Sequence, residues 1–436
     1  MKRVLALLLS ALMLAGCFAC TSGSNEAVAQ TEAESTEDAT VTAEAQTTSA
    51  GEKRIVNVFT KKREWDWKTI EARYEAYNPE VDLVVDATDS TTYYDLLKGY
   101  LASGDLPDVI QITSGSTMDV WKEYLVPLDG LEALNTMPAD STAEFMADGK
   151  YYGVPLFAEL HGVIYNMDYL NKVGWTTTPT TLDEFIQLNE DLIAAGLPTG
   201  ICPWSSAGSI LGHMTASVFS SHDDPYAYMN EIIEGNVDLT TDEQWNALYD
   251  YLDATLKYGN ADALVTDSTT ERNALYTEEY AWYAHDGSWL TPQIKANNPE
   301  LEDHIALGVY PFFNDASKNK IGNSLQGMSV MNTAHTEDAK NFVNWLLGTD
   351  DGCDVLANVC NVVLLKDGFE LTVENVGALG VQGMNYVANG QAYNNFRGFP
   401  TEIQSALMAA IQKYLAGTST RVESLAEIQA LFESCK

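Results

Sequence analysis

Residues 281–290, AWYAHDGSWL, set Trp282, Tyr283 and Trp289 on either side of Asp286-Gly287-Ser288. Flat aromatic rings beside a carboxylate are equipment for holding a molecule by its face and its hydrogen-bond donors. The stretch admits two readings. In one, Ala281 to Ala284 is a buried strand and the following Trp caps a core; in the other, Trp289 is a platform at the rim of a cleft beyond a polar turn. The motifs of bond-breaking chemistry are missing: there is no GxSxG, no HExxH and no G-x-x-x-x-G-K-[ST]. With 62 Asp and Glu, possible carboxylate pairs are too many for any one to signal a glycoside hydrolase. His222-Asp223-Asp224 reads as a solvated loop. The expectation is a binding protein with no catalytic residues, no metal and no cofactor.

The elements that must position such residues follow from periodicity. IVNVF, VDLVV and LPDVIQI read as strands. Between them, DWKTIEARYEAYNPE carries a helical pattern ending at Pro79, and TTYYDLLKGYLASG another stopped by Gly104. This β-α-β-α-β order predicts a parallel sheet with right-handed crossovers and puts the loops after Phe59, Val85 and Ile112 on one rim, where ligands lie in such sheets. Trp65 and Glu64 are candidates from the first of these loops, Asp89 from the second and Ser114 from the third. Turn and cap chemistry explains Asp89 and Ser114 equally well. Further helices open at Thr181 with Glu184 and at Thr241 with Gln244 in capping-box spacing, closing at Gly196 and Gly259. They flank GICPWSS, which offers Trp204. HTEDAKNFVNWLLG and two C-terminal helices, near 401–416 and 421–434, complete the alternation.

The 436 residues exceed one ordinary core, so two lobes are expected. A net charge of −38 argues against nucleic acid and makes an anionic ligand less expected, although a local basic pocket overrides a global sign. Lys2 and Arg3 precede an apolar run that ends in Leu14-Ala15-Gly16-Cys17. This resembles the lipobox of bacterial lipoproteins and implies cleavage before Cys17 and a diacylglyceryl, palmitate-type anchor on its thiol. Residues 1–16 are therefore read as a signal peptide and 17–52 as a lipid-anchored, acidic, disordered stalk reaching on the order of 30 Å. Cys202, Cys353, Cys360 and Cys435 show no CxxC or metal spacing and are expected as free, mostly buried thiols.

GDLPDVIQI, DGKYYGVPL, GVIYNMDYLNKVG with TTPTTLDEF, YAHDGSWL and HTEDAKNFVNWLLG occur in this order over nearly all of the chain after residue 53. Together they resemble the extracellular solute-binding proteins of family 1, the sugar-binding components of ABC importers that include the maltose-binding protein. The resemblance implies an α/β, two-lobed periplasmic-binding-protein-like fold of type II with its ligand cleft between the lobes. It places 53–158 and 306–366 in lobe 1, and 159–305 and 367–436 in lobe 2. It makes Trp289 a stacking platform for a sugar ring, Asp286 an acceptor from its hydroxyls, and Glu159 a ligand-facing residue ahead of its neighbour His161. NNFRGF adds Arg397. The loop after PDVIQI reads TSGST, without the charged pair of maltodextrin-type relatives, which speaks against maltose. The implied protein is a monomeric receptor tethered to the outer face of the cell membrane, passing a carbohydrate to permease subunits. A polyamine receptor and a glycoside hydrolase are the alternatives.

Overall fold

The computed structural model describes residues 53–89, 92–400 and 402–436. The signal segment, Cys17 and the stalk lie outside them. Twelve strands occur among the described residues: β1 (Arg54–Thr60), β2 (Val81–Ala87), β3 (Val109–Thr113), β4 (Met146–Ala147), β5 (Lys150–Tyr151), β6 (Val154–Asn166), β7 (Gly200–Ile201), β8 (Trp282–Gly287), β9 (Ile305–Gly308), β10 (Ile321–Val330), β11 (Val363–Leu364) and β12 (Ala392–Asn394).

β1 pairs in parallel with both β2 and β3, as the β-α-β-α-β pattern requires. The local signals explain the intervening helices. Asp66 accepts the Thr69 N–H at the start of the helix Trp67–Tyr77. Pro79 holds Asn78 out of the helical region (φ −127°, ψ 82°) at its end. Gly104, at φ +77°, closes the helix Tyr93–Ser103 by donating to the carbonyls of Tyr100 and Leu101.

The sheet then departs from the parallel pattern. β10 joins β3 antiparallel, and β6 joins β10 antiparallel, giving the order β2-β1-β3-β10-β6-β8-β7 with β9 and β11 on β6 and β12 on β10. β6 is 13 residues long and changes partners along its length. Its first half pairs with β10 and β11, its second with β8 and β9. Phe157 and Leu160 belong to one hydrophobic core; Val163 and Tyr165 belong to another. The first core gathers β1–β3, β10 and the helix Thr336–Gly348; the second gathers Phe185, Trp204, Trp245, Trp282 and Phe432.

Leu290, Ile294, Leu301, Val376 and Leu379 pack in the first core. Two capping expectations change. The helix Glu243–Tyr258 is capped by Asp242, whose carboxylate accepts from Trp245 N–H, and not by Thr241. Thr181 does cap the helix Leu182–Ala194, but the Glu184 carboxylate reaches back to Thr180 N–H and so completes no box with Thr181.

Candidate functional site

A shallow hollow, open to solvent, lies where the loop after β1, the middle of β6 and the segment after β8 converge. Its walls include Lys62, Glu64, Trp65, Glu159, Trp289 and Asn361. Glu64, Trp65, Glu159 and Trp289, selected from distant stretches of sequence, thus meet in one place. A comparable hollow beside Tyr310, Phe312 and Tyr393 contains none of the candidates.

Trp65 is largely buried, stacked on Trp67 at 5.4 Å between ring centroids and tilted against Phe157 at 5.5 Å. That packing holds an indole edge at the cavity wall. Glu159 sits opposite, on β6, accepting from Lys62 Nζ at 2.8 Å and from Gln326 Nε2 at 2.9 Å. Burial pushes the Glu159 carboxyl up, but Lys62, Lys61 and Arg397 together outweigh burial and hold it below the usual carboxylate range. Lys62 also lies 3.6 Å from Glu64. The polar chain continues from Gln326, whose Oε1 accepts from Thr113 Oγ1 at 3.2 Å, to Lys61, whose Nζ donates to Thr113 Oγ1 at 2.7 Å.

Across the cavity, β8 runs buried from Trp282 through Gly287, so Asp286 and Gly287 are strand where a polar turn was expected. Trp282 is a core residue, packed edge-on to Phe185 and donating its N–H to Asn189. Trp289 follows in a short 3-10 turn and is only partly buried. Behind it lies a nest of imidazoles. His161, His213 and His285 have ring centroids 4.2 Å (161–213) and 4.4 Å (213–285) apart, and each is within about 6 Å of the Trp289 ring. The Tyr310 hydroxyl bonds His161 Nδ1 at 3.0 Å and His285 Nδ1 at 2.5 Å. Burial first, then neighbouring imidazoles and Arg397, push all three histidines well below their ordinary range, so they are neutral at pH 7. No group of His, Cys, Asp or Glu among the described residues is arranged to hold a metal ion.

The remaining candidates fare differently. Asp286 is buried and gripped by Arg272, with contacts of 2.8 and 3.2 Å, so its oxygens already have a partner. Burial nevertheless raises its carboxyl, against the pull of Arg272. Trp204 is fully buried in the second core, far from a platform role. Asp89 accepts the Thr92 N–H at 3.1 Å, the turn chemistry weighed against its ligand role, and lies 4.0 Å from Arg63. Ser114 is buried, its N–H donating to Leu325 O. Arg397 reaches Ser324 Oγ at 2.7 Å, and Ser324 is the register partner of Glu159. Gly115, at φ +79°, allows this approach: a Cβ there would stand 3.2 Å from the Tyr226 hydroxyl and 3.4 Å from Arg397 Cβ.

Sequence reasoning passed over Lys61, Lys62, Gln326 and Arg272, and of the histidine nest it weighed only His161. Lys61 and Lys62 share the loop that nominated Glu64 and Trp65, so the same topological argument would have found them. Gln326 carries no such signal, because β10 enters the sheet by antiparallel pairing with strands distant in sequence. The four body cysteines are free thiols, Cys202, Cys353 and Cys360 buried.

Comparison with known proteins identifies the family and the fold. The family profile described as bacterial extracellular solute-binding protein matches residues 59–352. The chain is 24% identical over 402 residues to a multiple sugar-binding protein of Streptococcus mutans, covering 84% of this chain and 89% of that one. Its fold is similar to that of MalE3 of T. maritima, solved with maltose (TM-score 0.71, 14% identity, 88% of this chain and 100% of that one). It is also similar to the galacto-N-biose-/lacto-N-biose I-binding protein of Bifidobacterium longum, solved with lacto-N-biose (TM-score 0.65, 17% identity, 88% and 97%).

Proposed function

Because the chain belongs to the bacterial extracellular solute-binding proteins, whose two-lobed α/β fold it shares, we propose that it captures a sugar or oligosaccharide in the cavity between Trp65 and Trp289 and delivers it to an ABC permease. The observation that carries this reading is the convergence of two indoles and the Glu159 network on one hollow. An indole presents a negative π face to the slightly positive C–H face of a pyranose. Glu159, Gln326, Glu64 and Asn361 supply acceptors and donors for its hydroxyls, and polar groups so placed reject analogues lacking those hydroxyls.

Binding works by population shift between open and closed arrangements of the lobes about β6 and β10. A ligand moves such an equilibrium from 1:99 to 99:1 only by preferring the closed state by about 5.5 kcal/mol. Contacts from the far wall of the cleft reach the sugar only when the lobes close on it, and these supply the preference. Tethering through Cys17 at the outer face of the cell membrane would keep the receptor beside its permease. A cationic solute such as a polyamine is disfavoured here, since Lys61, Lys62 and Arg397 all exert their charge on Glu159. The test is calorimetry and thermal shift on residues 53–436 with mono- and oligosaccharides, polyamines and amino acids. A response confined to sugars, with no cleavage product, supports the reading; a polyamine response alone, or glycan cleavage, overturns it.

A further inference from the structure

The chain is strongly acidic, yet three of its few basic residues stand consecutively, Lys61-Lys62-Arg63, in the loop that gives Lys62, Glu64 and Trp65 to the cavity wall, with Lys61 just beside it in sequence. Each has a different situation. Lys62 is claimed by Glu159 and Glu64, and Arg63 lies at 4.0 Å from Asp89. Lys61 forms no salt bridge among the described residues. Its ammonium donates to the neutral Thr113 hydroxyl and rests 5.9 and 5.6 Å from the ring centroids of Tyr93 and Tyr94.

An ammonium has three N–H donors and Thr113 takes one. Burial drives the Lys61 pKa down; the pull of Tyr94 and Glu159 does not make up for it, and Lys62 and Arg397 add repulsion. Glu159, the nearest carboxylate on this chain of contacts, is already bonded to Lys62 and Gln326. The field at the Thr113 end of the network is therefore positive, in a protein whose net charge is −38. Lys61 is only partly buried, so water meets the donors that Thr113 leaves, and an anionic group entering there would replace that water with a counter-charge.

Resting on the reading of the cleft as a sugar site, we propose that the ligand is an acidic sugar whose carboxylate pairs with Lys61 beside Thr113, while its ring lies on the Trp65 and Trp289 side. A carboxylate supplies the missing counter-charge and accepts the remaining ammonium hydrogens in charge-assisted bonds. The long-range repulsion expected from the acidic surface acts on the rate of approach and is screened within about 8 Å at physiological salt, so it does not decide the contact itself.

The experiment compares uronic-acid oligosaccharides with neutral oligosaccharides of equal length by calorimetry, on the wild-type body and on Lys61→Met and Lys61→Arg. The expected result is at least a tenfold preference for the uronate in the wild type, largely retained by Lys61→Arg and lost in Lys61→Met. Melting temperatures confirm that both variants fold. Tight binding of neutral sugars with no uronate preference overturns this inference and leaves the sugar-receptor reading in place. A uronate preference that survives Lys61→Met also overturns it, by moving the contact elsewhere. Failure of every sugar to bind overturns both.

Discussion

Replacing Arg272 by Met separates a structural role for Asp286 from a ligand-binding one. Asp286 is 1% exposed and receives both of its short contacts from Arg272, whose own side chain is 37% exposed. Removing one member of a fully buried pair costs about 3–5 kcal/mol, because the other charge stays buried without compensation. Partial exposure of Arg272 admits water to one side, so the expected loss is about 2–4 kcal/mol. Asp286→Asn on the same background removes the stranded charge, and the double variant should recover at least about 1 kcal/mol relative to Arg272→Met alone. Urea unfolding followed by tryptophan fluorescence measures all three. The sign with pH is fixed by burial, which raises the folded-state pKa of Asp286 above its unfolded value near 3.9. The folded state thus binds the extra proton; losing Arg272, which holds the carboxyl down, raises its folded pKa further, so the penalty of Arg272→Met shrinks as pH falls through the variant's own, higher folded pKa, where the carboxyl becomes neutral. A loss under about 0.5 kcal/mol, together with a collapse in sugar affinity, would refute the structural assignment and return Asp286 to the ligand.

Three further outcomes are expected. The histidines of the nest have folded-state pKa values below the unfolded value near 6.5, so the unfolded chain takes up their protons first and stability falls as pH drops below about 6.5. Thermal unfolding between pH 7.5 and 5 should show this slope, and His213→Gln should flatten it; an unchanged slope would show that the nest is not its source. Trp289→Ala should lose sugar affinity with little change in melting temperature, whereas Trp204→Ala, emptying a fully buried site, should cost about 3–5 kcal/mol of stability; equal effects of the two on stability, or full affinity in Trp289→Ala by calorimetry, would contradict the distinction drawn between them. Gly200→Ala would set a Cβ 2.1 Å from the Trp282 indole and should destabilise by about 1–3 kcal/mol in chemical denaturation.

What was legible in the sequence was local. The strands around Ile55, Val81 and Val109, the stop at Pro79 and the turn at Gly104 are dictated by neighbours within a few residues, and the structure follows them. Trp65, Glu64, Glu159 and Trp289 could be nominated because each sits beside a strand end or a recognisable piece. The fate of Asp286 could not, because its partner Arg272 is brought to it by the packing of the helix Ser268–Tyr276 against β8, with no signature in either segment. Trp204 was misjudged for the same reason: an aromatic beside a proline turn reads alike whether it faces water or the second core. Caps failed where two residues competed, as at Thr241 and Asp242.

β6 belongs to both cores, and β10 pairs with it in one continuous sheet. A body joined by flexible coil would have many relative orientations to give up when a ligand draws its halves together, and each lost orientation would be charged against affinity. Here the connection is hydrogen-bonded along its length, which leaves mainly twist and bend of the sheet as available motions. The closure proposed for this receptor would therefore surrender little orientational entropy. More of the contact energy from a small, heavily hydrated ligand then survives as binding.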